Sequence, residues 1–117
     1  MGSQFSIYHN PRCRKSREAL QELESNGCEI KIVEYLKDPV SAAELKKVCD
    51  KLGLEPEDIV RKSEELYKTK YKGENLTAQQ WFKVLAENPV LIERPIVIKE
   101  NKAVIAREPG VLKKFLK

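Results

Sequence analysis

Phe5-Ser6-Ile7-Tyr8-His9-Asn10-Pro11-Arg12-Cys13-Arg14-Lys15-Ser16-Arg17-Glu18-Ala19-Leu20 is the stretch around which the chain is organised. Phe5, Ile7 and Tyr8 are strand formers. His9-Asn10-Pro11 breaks the strand. The chain resumes as a helix whose first turn holds Cys13, Ser16 and the basic residues Arg12, Arg14 and Lys15. A cysteine there sits where helical N–H groups lack partners and where the helix dipole favours an anion, either a thiolate or a bound oxyanion. Such a position lowers a cysteine pKa from about 8.5 toward roughly 3.5–7.5. At a pKa near 6.5, roughly three-quarters of the thiol would be thiolate at neutral pH. The competing reading is a small buried hydrophobe, the common fate of a free cysteine. The basic neighbours Arg12, Arg14, Lys15 and Arg17 weigh against a packed interior.

Working outward, residues 4–9 read as a strand and residues 13–25 as a helix with Ala19, Leu20 and Leu23 on its apolar face. Asn26-Gly27 ends it. Residues 29–35 alternate as a second strand. A helix of this length between two strands implies a parallel pair with a right-handed crossover. Ser41 and Glu44 form a capping box that starts a second helix, with Leu45, Val48, Cys49 and Leu52 inward and Gly53 at its end. Cys49 therefore reads as core. Pro56 opens a short helix, residues 63–68 extend the helical character, and Tyr67 to Asn75 reads as a polar, basic loop. Thr77 and Gln80 form another capping box, for a helix with Trp81, Phe82 and Leu85 inward that ends at Asn88-Pro89. Ile96-Val97-Ile98, a turn at Glu100-Asn101 and Ala103-Val104-Ile105 form a hairpin. Pro109 opens a last helix with Val111, Leu112, Phe115 and Leu116 apolar.

The order β-α-β, helical insert at about 41–90, β-β-α gives a four-stranded mixed sheet flanked by helices. This is the thioredoxin-like arrangement, within one α/β domain spanning 1–117. The 117 residues, 41% hydrophobic and 34% charged, suffice for a core without covalent staples. No apolar run approaches the roughly 20 residues of a membrane span, and no signal-peptide segment opens the chain. Three cysteines without paired spacing point to a reducing, cytoplasmic setting and no disulfide framework. With one histidine and no zinc spacing, no metal is expected. The net charge of +4 is interleaved along helices without an aromatic-basic stripe, so nucleic acid is not an expected partner.

Arg61, Arg94 and Arg107 each lie at an element end, where functional residues collect. Each alone also reads as a surface charge. Arg94-Pro95 precedes a strand, and Pro95 is a candidate cis proline. Thioredoxin-like folds commonly carry a cis proline there, facing the reactive cysteine, and if Pro95 is that proline, Arg94 points into the active site. Ile7-Tyr-His-Asn-Pro-Arg-Cys-Arg-Lys-Ser-Arg17, Tyr35-Leu36, Arg61-Lys62, Asn88-Pro-Val-Leu-Ile-Glu-Arg-Pro-Ile-Val97 and Arg107 together resemble the glutaredoxin/glutathione-dependent arsenate reductases, from about residue 5 to residue 116.

That resemblance implies a nucleophile at Cys13 and oxyanion-binding guanidinium groups at Arg61, Arg94 and Arg107. It gives His9 an influence on the cysteine pKa. Guanidinium groups suit this work because they bind oxyanions through paired, charge-assisted hydrogen bonds. Ser16 falls where a hydroxyl could donate to the thiolate, and His9 could equally make a structural hydrogen bond in its turn. Arg14 stands where the best-known members have a small residue, and it could help bind an anion or glutathione, or crowd the entrance. The implied reaction reduces arsenate to arsenite with glutathione as co-substrate and glutaredoxin as partner, without a bound cofactor, in a monomer. Because Ser16 occupies the place of a dithiol enzyme's second cysteine, an external thiol must complete the cycle, with Cys28 as a weaker internal alternative. Two other readings stand beside this one. The first is an RNA polymerase-binding regulator like the Spx proteins, which typically carry the Cys-x-x-Cys that this chain lacks. The second is a glutathione-dependent thiol reductase with another substrate.

Overall fold

The computed structural model describes residues 4–108 and 110–116. Pro109, read above as opening the last helix, lies outside them. The chain divides into two compact units, Met1–Asp38 with Arg94–Lys117, and Pro39–Glu93.

In the first unit, β1 (Gln4–Tyr8) leads through α1 (Arg14–Ser25) to β2 (Glu29–Val33), and β3 (Ile96–Lys99) turns into β4 (Lys102–Ile105) before α4 (Val111–Phe115). The sheet order is β2-β1-β3-β4. β1 pairs β2 in parallel with Ile7 opposite Ile32, and pairs β3 antiparallel with Ile7 opposite Val97. The mixed, thioredoxin-like sheet follows from the two connections: a helical crossover joins the parallel pair and a tight turn joins the hairpin. Glu100 makes that turn at φ 54°, a left-handed conformation.

Strand alternation places Phe5, Ile7 and Val97 on one face, where Ala19 and Leu23 of α1 and Leu112 of α4 close the core. Phe115 meets Phe5 edge-on at 6.4 Å between ring centroids. Ile7 and Leu23 are completely buried. Truncating either to alanine typically costs about 2–5 kcal/mol. α1 ends where Gly27 takes φ 69°, which a side chain would resist. β2 is shorter than the sequence suggests, because the chain turns at Glu34, whose carbonyl accepts the Lys37 and Asp38 N–H groups, each at 2.9 Å.

In the second unit, α2 (Ala42–Leu52) is capped by Ser41 Oγ, which accepts from Glu44 N at 3.2 Å. The Glu44 carboxylate turns to Lys47 at 3.5 Å, so only the Ser41 half of the expected box is seen. At α3 (Ala78–Glu87) both halves form between Thr77 and Gln80. Trp81 and Leu85 are buried, and Phe82 is only partly so. A 3₁₀ turn at Pro56–Ile59 carries a further reciprocal cap between Glu55 and Asp58. The segment read as a loop after Tyr67 instead forms a π-helical turn, Tyr67–Tyr71. It has no buried stripe to signal it, and Tyr71 rests on Trp81 at 5.8 Å.

Candidate active site

The loop that leaves β1 is fixed by hydrogen bonds before it reaches Cys13. His9 N–H extends the parallel ladder to Val33 O at 2.9 Å. Asn10 then serves three times. Its N–H donates to Ser16 Oγ at 3.0 Å, its Oδ1 accepts Arg12 N–H at 3.0 Å, and its carbonyl accepts Cys13 N–H at 2.9 Å. Arg17 straps the loop from outside, donating to Pro11 O at 3.0 Å. The Asn-Pro dipeptide marks this turn in the sequence, but Asn10 was not among the expected site residues, and neither was Arg17.

Cys13 is the N-cap of α1, with extended backbone and a partly exposed side chain. Its thiol closes no formal cap hydrogen bond, yet the N–H groups of the second and third helical residues, Lys15 and Ser16, point at it. Burial alone would raise the Cys13 pKa. The Ser16 N–H, the adjacent Arg94 guanidinium and the Lys15 N–H outweigh that and hold the thiol below its ordinary range. The amides of Arg12 and Cys13 are committed to Asn10, so the cradle is narrower than the whole loop.

Ser16 contributes differently from the expectation. Its hydroxyl does not serve the thiolate but is fully buried between His9 Nδ1 at 2.6 Å and Asn10 N–H at 3.0 Å. The reason is helix geometry: at the third helical position the backbone N–H faces the N-cap while the side chain turns inward. His9 is buried, and its pKa is lowered chiefly by that burial and by Arg17, against the raising effect of Glu34. In this short contact the histidine tautomer sets which of Ser16 Oγ and His9 Nδ1 donates.

Arg94 is 9% exposed, and the Arg94–Pro95 peptide is cis. Its Nε is buried without a hydrogen-bond partner among the described residues. Arg107 donates to the Arg94 carbonyl at 3.1 Å. The structure thus brings His9, Cys13, Ser16, Arg94 and Arg107 into one connected set. Arg14 is not gathered with them: its side chain is 84% exposed and runs along α1 to Glu18 at 3.5 Å. Arg61 belongs to the second unit, where Glu64 engages it at 3.1 Å.

The other cysteines differ. Cys28 follows α1, whose 12 residues set it roughly 18 Å along the helix axis from Cys13. A disulfide tolerates about 4.4–6.8 Å between Cα atoms, so the internal resolver is ruled out by the fold. Cys49 is buried, and burial with Asp50, Glu55 and Asp58 nearby pushes its thiol up to about 11. Iodoacetamide should therefore modify Cys13 first at neutral pH and Cys49 only on unfolding. The folded state favours the Cys13 thiolate, so that stability is present above the ordinary thiol pKa and lost as pH falls through the lowered one. The Cys13 alkylation rate should likewise reach half its maximum below about 8.5. Peptide mass spectrometry across pH checks both, and a half-point at or above that value contradicts the site.

Among the described residues, no helix is long and apolar enough to cross a membrane, and no His/Cys/Asp/Glu group has the arrangement of a metal site.

Residues 8–115 match the ArsC family. An arsenate reductase of Haemophilus influenzae is 41% identical over 112 residues, which cover 94% of this chain and 97% of that one. An arsenate reductase of Escherichia coli is 36% identical over 97 residues, 82% of this chain and 69% of that one. The solved arsenate reductase from Vibrio cholerae has a TM-score of 0.92 at 40% identity, over 97% of this chain and 98% of that one. The fold, the family match and these relatives agree over nearly the whole length, and the chain belongs to the ArsC family.

Proposed function

We propose that this protein reduces arsenate to arsenite through the Cys13 thiolate, with glutathione as the second thiol and glutaredoxin completing the cycle. The observation that carries the reading is Arg94. A buried guanidinium beside an activated thiol keeps one N–H unpaired. Leaving a buried donor unpaired typically costs about 1–3 kcal/mol, which an oxyanion oxygen would recover. Arg107, which donates to the Arg94 carbonyl, completes the oxyanion set of the first unit in this reading.

In the first step the Cys13 sulfur forms a bond to As(V), and an arsenate oxygen leaves as water after protonation. The Arg94 guanidinium offsets the repulsion between an anionic thiolate and an anionic substrate. Glutathione then supplies the second thiol. An S–S bond forms between Cys13 and glutathione, the two sulfurs lose two electrons, and As(V) gains them as arsenite leaves. Per turnover, arsenic acid and two thiols give arsenous acid, one disulfide and one water. Glutaredoxin exchanges the glutathionyl group off Cys13 and restores the thiol. The buried neutral His9 holds Ser16, and through it the loop, without itself joining the sulfur chemistry.

The test is NADPH oxidation coupled through glutathione reductase, with glutaredoxin and glutathione present. Arsenate addition should start NADPH consumption, with one arsenite formed per NADPH. No arsenate-dependent consumption by the intact protein overturns the reading. Glutathionylation of Cys13 that proceeds equally without arsenate would instead favour a thiol reductase with another substrate.

A further inference from the structure

The reaction proposed above requires a thiol from outside, because the fold sets Cys28 at the far end of α1 and Ser16 in the place of a second cysteine. That thiol needs a path to a sulfur whose flank is occupied by Arg94. A cleft along the first turns of α1 and a cleft beside the Cys13 loop differ in charge.

One, of about 120 Å³, lies along α1 and is lined by Lys15 and Arg107 but also by Glu18, Glu22 and Glu108. Its excess of carboxylates repels a ligand that carries carboxylates. The other, of about 250 Å³, lies between the Cys13 loop and the turn after β2. Pro11 and Arg12 form one wall, and Glu34, Leu36 and Lys37 the other, with His9 between them. Here two cations face one carboxylate. Leu36, 42% exposed, and the exposed Pro11 supply an apolar surface. The walls are held together by the His9-to-Val33 hydrogen bond, and the outer wall by the two N–H groups that Glu34 O accepts. The cleft is thus fixed before any ligand arrives, which spares ordering cost on binding. Arg12 is the neighbour of Cys13, about 3.8 Å away between Cα atoms.

We infer that this cleft, bounded by Arg12, Glu34, Leu36 and Lys37, binds glutathione, the thiol co-substrate. This rests on the glutathione-dependent reading and adds its binding site. The chemistry matches part by part. Arg12 and Lys37 meet the two carboxylates of the tripeptide, Glu34 meets its ammonium group, and Leu36 and Pro11 pack along its backbone. The cleft takes part of the ligand, leaving the cysteinyl thiol at the Arg12 rim beside Cys13. Attack there forms the S–S bond described above, with no further reactant.

The test uses two measurements on the intact protein. S-methylglutathione, which cannot react, is titrated to about 10 mM, tenfold above the usual range of KM values, while backbone amide resonances are followed. Shifts are expected at His9, Asn10, Arg12, Leu36 and Lys37. Shifts confined to the Glu18–Glu108 cleft, or none at all, overturn the site. In coupled turnover, Lys37→Glu should raise KM for glutathione about tenfold while KM for arsenate moves less than twofold. Lys37 is exposed, so this variant keeps the fold. Leu36→Ala should raise KM for glutathione in the same direction. If turnover proceeds but neither variant moves KM for glutathione, the site falls and the reaction stands. If S-methylglutathione shifts the cleft but glutathione supports no arsenate turnover, the reaction falls and the site stands.

Discussion

Cys13→Ser is expected to lower arsenate turnover by at least about 10⁴-fold while leaving the protein folded and slightly more stable. The two halves have separate causes. A serine hydroxyl is not ionised at neutral pH, so the amides of Lys15 and Ser16 and the Arg94 guanidinium have no thiolate to stabilise. An S–S intermediate also becomes impossible, so the electron transfer has no route through this position. A loss of that size corresponds to about 5.5 kcal/mol of transition-state stabilisation. The fold is spared because the Cys13 backbone bonds, to Asn10 O and from Arg17 N–H, do not involve the side chain. Serine is moreover a preferred N-cap, whereas the thiol closes no formal cap, and such a gain is typically about 0.5–1 kcal/mol. Coupled turnover and thermal unfolding measure the two together. Turnover within about tenfold of the intact protein would remove Cys13 from the chemistry.

Arg94→Ala should lower kcat/KM for arsenate about 10²–10³-fold and move the pH profile of Cys13 alkylation upward. Both effects come from one group, since the guanidinium stabilises the thiolate and, in the proposed reaction, binds the incoming oxyanion. The alkylation shift is moderated because Cys13 is partly exposed and solvent screens the interaction. Arg94→Lys should recover most of the pH shift but less of the arsenate affinity, because an ammonium keeps the charge and loses the planar fork. Arg107 donates to the Arg94 backbone carbonyl, so either substitution leaves that bond in place. An unchanged alkylation profile in Arg94→Ala would separate the guanidinium from the sulfur. An unchanged KM for arsenate would separate it from the substrate.

What the sequence disclosed follows the range of the interactions involved. The hairpin, the parallel pair and the starts of α1, α2 and α3 rest on local signals, and the structure places them within a few residues of where those signals fall. Thr77 and Gln80 announce their helix through a bond three residues long. The Tyr67–Tyr71 turn carries no such signal, since none of its residues is buried and its hydrogen bonds follow a longer period. The site divides the same way. A cysteine at a helix start is visible from its neighbours, and so is an arginine before a proline. The direction of a side chain is not. Ser16 looks like a hydroxyl facing a thiolate until the helix is built, when the backbone takes that position and the hydroxyl turns to His9. Arg14 looks like a substrate ligand until its extended reach along α1 to Glu18 is seen. Glu34 and Lys37, which shape the cleft beside the loop, are distant in sequence from Cys13 and carry no motif.

The buried Ser16 hydroxyl also bears on how such a protein can evolve. Serine and cysteine differ by one atom, so a dithiol variant is only one substitution away. That step is a steep one here. A cysteine at position 16 would inherit a slot with no exposed surface, pointing at His9 and the Asn10 N–H. It would leave those two groups with a weak partner. The Cα atoms of positions 13 and 16, three residues apart at a helix start, lie within disulfide reach, so an internal disulfide would form only by drawing that side chain away from His9 and Asn10. In the proposed reaction, the hydrogen bonds of that one side chain are what stand between this loop and an internal reductant.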